Sequence, residues 1–382
     1  MYVPDATEWE RRDPEAVGLD AAAVEAAVNY HKRNGTPHEQ INYDFADHEV
    51  WDEAEGEYGR RIGPHPARRG GPAGVILKDG YLVAEWGDTR RADQTFSVAK
   101  SFLSVVAGVA WDRGDIDGVD DHVREYVDDG GFESGRNRKI RWRHLLQQTS
   151  EWEGTLFGKP DAVDRNRAVG KEDETLDKAE TRTLREPGTF WEYNDVRINR
   201  LALALLRTVG RPLPRVLAEN VMRPIGATDT WEWHGYHNSM VDVDGTAMRS
   251  VSGGGHWGGG LWISARDLAR VGLLYLNDGE WDGDRLLSEA WIDASTEPCD
   301  ANESYGYLWW LNADRTLWPS APASAYAALG HGQNAVWVDP EHDIVVVLRW
   351  LRYEEDGDGT DAQREQDRFY AKLLDGLRDG RA

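Results

Sequence analysis

Ser97 and Lys100 stand three residues apart in the run Phe96-Ser97-Val98-Ala99-Lys100. On a helix, residues at i and i+3 share a face about 5 to 6 Å apart, so this spacing brings an amine within reach of a hydroxyl. Together they make a nucleophile and a proton acceptor. If Ser97 opens the helix, its backbone N–H has no intrahelical partner and faces the positive end of the dipole, which suits an oxyanion. Lys100 falls among Val98, Phe102 and Val105, where loss of solvent would lower its pKa toward a range in which it accepts a proton. A lone S-x-x-K also arises by chance, so the pair needs support from the rest of the chain.

Other chemical patterns fail. There is no G-x-S-x-G elbow. Gly253 to Gly258 fits G-x-G-x-x-G, but no Val/Ile-rich strand precedes it, as a dinucleotide loop requires. His38-Glu39 and His48-Glu49 lack a second His at zinc-binding spacing, and the run 354–361 has alternating Asp without the Glu of a calcium loop. The single cysteine, Cys299, can form neither an internal disulfide nor a multi-cysteine metal site. No cofactor and no metal are expected.

The elements that must position the pair are legible in outline. Asp20 to Asn34 is Ala-rich, starts at a capping Asp and stops at Gly35, which predicts a helix. Residues 35–72 show no period. Residues 73–87 are two β-rich runs around Asp79-Gly80, a hairpin signal, and a helix follows from Phe96 to near Gly114. RWRHLLQQT and VRINRLALALLRTVG make 116–255 look largely helical. Ser264 with Asp267 opens another helix, strands dominate again through AVWVDPEHDIVVVLRW, and a last helix lies near 362–378. The expectation is an α+β fold: one antiparallel sheet built from both ends of the chain (1–115 and 256–382) and flanked by helices, with 116–255 an inserted helical lobe.

Composition narrows the partners. The net charge of −24 repels nucleic-acid phosphates, and no stretch approaches a membrane span. Eight of the 44 basic residues are Lys, and the acids are spread along the chain; an acidic surface with few Lys predicts a halophilic source. The N-terminal run has no basic segment leading into an apolar core, so a cytoplasmic protein is expected.

Taken in order, these segments resemble the serine hydrolases of the β-lactamase and penicillin-binding-protein superfamily, in the branch of class C β-lactamases, esterases, D-aminopeptidases and nylon-oligomer hydrolases. FSVAK, 96–100, resembles the nucleophile helix, and IRWRHLLQQTSEW, 140–152, is similar to the family's I-T-I-R-H-L-L-T-H-T-S-G stretch. PGTFWEYND, 187–195, resembles the segment with the Tyr-x-Asn motif, and LGHGQNAVWVDPEHDIVVVL, 329–348, the strand pair with the Lys/His-x-Gly motif. GGGLWISARDLARVGLLYL is similar to a family stretch before the closing elements.

The resemblance implies a β-lactamase-like fold with Ser97 as nucleophile, Lys100 as its base or the partner that tunes the base, and Tyr193 as a relay that takes the serine proton and returns it to the leaving group. It places Gly330, His331, Gly332 and Gln333 on an edge strand whose backbone N–H completes the oxyanion hole with Ser97. Trp152 becomes a candidate pocket wall, and His256 another lining residue. Two departures stand out. The Tyr motif reads Tyr193-Asn194-Asp195, so either Asn194 replaces the family's third-position amide or Asp195 stands in its place. His331 replaces Lys, which weakens a β-lactam carboxylate anchor. The implied activity is therefore hydrolysis of a small-molecule ester or amide, ahead of a β-lactamase or D,D-peptidase, with a catalytically silent ligand-binding or sensor module behind both.

Overall fold

Asp79 and Gly80 both take left-handed backbone, with φ of 54° and 86°, and the chain reverses there between two strands. That is the primed turn the Asp-Gly pair predicts. The computed structural model describes residues 1–36, 68–167, 169, 179–254, 260–352 and 361–377. In chain order its main elements are α1 (Ala21–Arg33), β1 (Ala73–Lys78), β2 (Tyr81–Trp86), β3 (Asp93–Gln94), α2 (Val98–Asp112), α3 (Asp195–Val209), β4 (Glu232–Val243), β5 (Thr246–Val251), β6 (Gly260–Ile263), α4 (Ala265–Leu276), β7 (Trp310–Leu311), β8 (Tyr326–Gly330), β9 (Asn334–Asp339), β10 (Ile344–Arg349) and α5 (Asp361–Leu374).

Both ends of the chain meet in one six-stranded sheet of order β7-β8-β9-β10-β1-β2, whose pairs are all antiparallel. Its joint is β1 against β10, from Ala73 opposite Arg349 to Lys78 opposite Ile344. Every residue of β9 and β10 is buried, because helices cover both faces. Successive residues of β9 show the alternation: Trp337 stacks on Tyr370 of α5 at 4.2 Å, while Val336 lies under Gly272 of α4. A strand dry on both sides reads as a continuous apolar run, which is why VVVL lacks polar alternation.

The stretch 116–255 holds the long helix α3 and several shorter helical segments, and Glu232 to Val251 adds a hairpin that turns at Asp244-Gly245. The hairpin joins a second sheet of order β3-β6-β4-β5 with strands from outside that stretch. The second sheet fixes the approach to Ser97, since Asp93 and Gln94 pair with Ile263 and Trp262. Next along the chain, the Thr95 amide and hydroxyl both donate to Leu261 O, at 2.9 and 3.1 Å. Among the described residues no helix is long and apolar enough to cross a membrane.

One buried histidine ties α1 to the main sheet. His31 Nε2 lies 3.1 Å from Arg349 O, and its Nδ1 accepts from Trp86 Nε1 at 3.1 Å, so the ring is the neutral Nε2–H tautomer. Burial pushes its pKa down to about 3. The folded ring stays neutral where the unfolded one gains a proton, so stability is complete above the unfolded value of about 6.5 and falls as pH drops from there toward the folded value. From about pH 6.5 to about pH 5 this group should cost about 2 kcal/mol. Urea unfolding at both pH values should show a loss of that size, reduced in His31→Gln; an identical loss in the variant would put the acid sensitivity elsewhere.

Candidate active site

Phe96 prepares the nucleophile. Its φ is 51°, a conformation that costs a bulky residue energy, and it is held there by burial against Trp262 and Trp350. The resulting bend makes Ser97 the N-cap of α2. Among the described residues the Ser97 N–H meets no acceptor. Gly330, the last residue of β8, passes so close that a Cβ there would lie 2.1 Å from Thr95 O and 3.2 Å from Ser97 N. Only glycine permits this approach of a strand end to a helix N-terminus.

Beyond Gly330 the chain turns through Gly332 and Gln333, at φ of 72° and 56°, before β9 begins. Both are buried, whereas Ser97, Gly330 and His331 keep partial exposure. The His331 ring stands edge-on to Phe96 at 5.2 Å. The four residues 330–333 thus lie at one strand end beside Ser97, with Gly330 making the backbone approach.

Lys100 Nζ donates to Ser97 Oγ at 2.9 Å, the contact that helical spacing requires. On its other side it meets Asp195 Oδ1 at 2.6 Å, with both side chains 2% exposed. The Tyr193 ring lies beside the ammonium, its centre 4.6 Å from Nζ. The expectation of a lowered lysine pKa is reversed here. Burial does pull Lys100 down, but the Asp195 carboxylate and the Tyr193 phenol outweigh it and hold the ammonium above its ordinary value.

Asn194 and Asp195 divide the motif between them. Asn194 caps α3: its Oδ1 accepts from Arg197 N at 3.2 Å, and its Nδ2 donates to Asp161 O at 3.0 Å. Both polar atoms of its carboxamide thus bond within the fold, at the residue the sequence offers as one replacement for the family's third-position amide. Asp195, the first residue of α3, faces Lys100. Arg167 Nη1 lies 3.0 Å from Asp195 Oδ2 and 3.2 Å from Asp164 Oδ2, and its guanidinium sits 5.2 Å from the centre of the Tyr193 ring. No period in the DAVDRNR run marks Arg167 or Asp164 in advance.

Trp152, expected as a pocket wall, is a core residue. Its Nε1 donates to Gly131 O at 2.8 Å, and Arg200 lies 5.9 Å from its ring. The rings against Tyr193 are Trp191 at 6.2 Å and Trp310, stacked at 5.9 Å. Beneath them, buried Gln148 accepts from Asn194 N at 3.0 Å and donates to Tyr305 Oη at 2.8 Å. Glu151, at φ 47° where the family stretch has Gly, receives Arg182 through two bonds of 2.7 and 2.6 Å and Arg197 at 2.9 Å. Burial raises the Glu151 carboxyl, but the two guanidinium groups outweigh it and keep its pKa low. This network fastens the 148–152 turn to the start of α3. His256 and the acidic run at 354–360 lie outside the described residues.

Comparison with known proteins identifies the family and the fold. The Beta-lactamase family profile matches residues 60–368. The chain is 27% identical over 307 residues to the 6-aminohexanoate-dimer hydrolase of Paenarthrobacter ureafaciens, covering 72% of this chain and 70% of that protein. Its fold is similar to that of a penicillin-binding-protein homologue from Caulobacter crescentus, with a TM-score of 0.59 at 15% identity over 93% of this chain and 99% of the other. A family VIII carboxylesterase gives 0.55 at 16% identity over 92% and 99%. The matched span contains the Ser97 helix, the Tyr193 turn and the strand end at Gly330, and the chain belongs to the beta-lactamase family.

Proposed function

We propose that this protein is a serine hydrolase that cleaves a small-molecule ester or amide through an acyl-enzyme on Ser97. The observation that carries the reading is the partly exposed Ser97 hydroxyl, bonded to Lys100 and backed by a backbone amide that has no acceptor among the described residues. In the first step Ser97 Oγ attacks the carbonyl carbon while its proton passes to the Tyr193 oxygen in its phenolate form. The carbonyl π pair moves onto oxygen, where the N–H of Ser97 and a strand-end N–H beside Gly330 would receive the negative charge. Collapse breaks the bond to the leaving group, which takes the proton from Tyr193; water then repeats the sequence and frees Ser97.

The dimer hydrolase and the carboxylesterase named above act, by their names, on a 6-aminohexanoate dimer and on carboxylic esters. Both substrate classes fit a mechanism that needs only an acyl carbon. His331, partly exposed beside Ser97, belongs to this reading as a lining residue, and lobes bounded near 115 and 256 belong to it as the architecture. The test is mass spectrometry after a serine-directed phosphonate, with a penicillin as a second probe. We expect one phosphonate adduct, on Ser97. An adduct elsewhere, or none on folded protein, would remove the reading; a stable penicilloyl adduct on Ser97 would move the substrate class toward β-lactams.

A further inference from the structure

A carboxylate stands where the family motif carries an amide, in contact with two basic side chains. Asp195 begins α3, where the helix dipole favours an anion. Its backbone N–H donates to Asp164 Oδ2 at 2.5 Å, and its side chain lies between Lys100 at 2.6 Å and Arg167 at 3.0 Å. We infer that Asp195 is a positioning residue that pins Lys100 as its ammonium against Ser97 and so removes Lys100 from the role of proton acceptor, leaving that role to Tyr193.

The geometry supplies the reason. An ammonium that donates to Ser97 Oγ has no lone pair with which to take the hydroxyl proton. An amide at position 195 could share a hydrogen bond with Lys100, but it would bring no charge to stabilise the protonated form. Other charged or titratable groups face the pair from every side. Arg167 and Asp164 come from the 161–167 segment and oppose each other. Tyr193 lies on the turn before α3, Tyr236 on β4 and Tyr305 before β7. Burial raises the Tyr236 and Tyr305 phenols above their ordinary value, so both stay neutral. Asp195 is thus the carboxylate in direct contact with Lys100, and replacing it by an isosteric amide should make nearby protons easier to lose.

This inference rests on the proposed hydrolase reading, but its tests do not all depend on turnover. The chain has eight lysines, so carbon-13-labelled lysine permits direct titration of the Lys100 Cε resonance, assigned with Lys100→Arg. In wild type this resonance should stay in its protonated position while exposed lysines titrate. Titration of Lys100 below the others would overturn the inference whatever the activity. In Asp195→Asn the alkaline edge of Ser97 phosphonylation and of ester kcat/KM should move down by about one to three pH units, whereas Asp195→Glu should keep the wild-type edge with a lower kcat. A merely structural role would lower the rate equally at every pH. An unmoved edge in folded Asp195→Asn would also overturn the inference. Failure of the phosphonate to reach Ser97 in wild type would instead defeat the hydrolase reading and leave the lysine titration standing.

Discussion

Ser97→Ala is expected to lower hydrolysis of a short-chain nitrophenyl ester by on the order of 10⁶-fold, the loss seen when a serine nucleophile is deleted. The fold should survive. Although Ser97 is the N-cap of α2, its side chain makes no capping bond, so the usual penalty of about 1 kcal/mol for losing a cap does not apply. Its hydroxyl accepts from Lys100, and after substitution Lys100 still has Asp195 at 2.6 Å. No buried charge is stranded. Melting curves of variant and wild type should therefore lie close together while the activities diverge. Turnover by folded Ser97→Ala within tenfold of wild type would show that the nucleophile is another group or an activated water.

The contrast between Ser97 and Asp195 shows what a sequence makes legible. Ser97 and Lys100 are joined by helical geometry, a local rule, and the structure places them at hydrogen-bond distance. The two-ended sheet was equally readable, because the turn at Asp79-Gly80 and the apolar β9 and β10 runs carry their own signals. Asp195, by contrast, reaches Lys100 across 95 positions of chain through the packing of α3 on α2, and no periodicity encodes that contact. Its effect reverses the sign expected from the apolar neighbours of Lys100 alone. The hairpin of β4 and β5 is an intermediate case. Asp244-Gly245 repeats the turn signal of Asp79-Gly80, but β4 is half exposed and rich in His, Asn and Asp, so its alternation is faint. The positive φ of Phe96 and Glu151 has no sequence signal, since both residues ordinarily avoid that region and are held there by aromatic packing and by paired arginines.

Tyr193→Phe separates a lysine base from a tyrosine relay, and the substitution is structurally mild. The Tyr193 ring is 4% exposed and stacks on Trp310 at 5.9 Å, contacts that a phenylalanine ring retains. If Lys100 accepted the serine proton, losing the phenol oxygen would cost little. Lys100, however, donates to Ser97 and is paired with Asp195, so the proposed mechanism gives the proton transfer in both directions to Tyr193, whose ring centre lies 4.6 Å from Lys100 Nζ. The expected loss in kcat/KM is about 10² to 10⁴, the contribution of a general acid-base group. Phosphonylation of Ser97 should slow with it, since proton removal from the serine precedes either reaction. Lys100→Ala should be at least as damaging, but it removes one member of a buried ion pair with Asp195, and breaking a buried pair in this way costs about 3 to 5 kcal/mol of stability. Its lost activity would mix folding with chemistry, which makes Tyr193→Phe the cleaner measurement. Profiles of kcat/KM against pH for wild type and Tyr193→Phe, taken with melting curves, decide the matter. A folded Tyr193→Phe enzyme within a few-fold of wild type at every pH would show that the serine proton leaves by another route, and the relay would have to be abandoned.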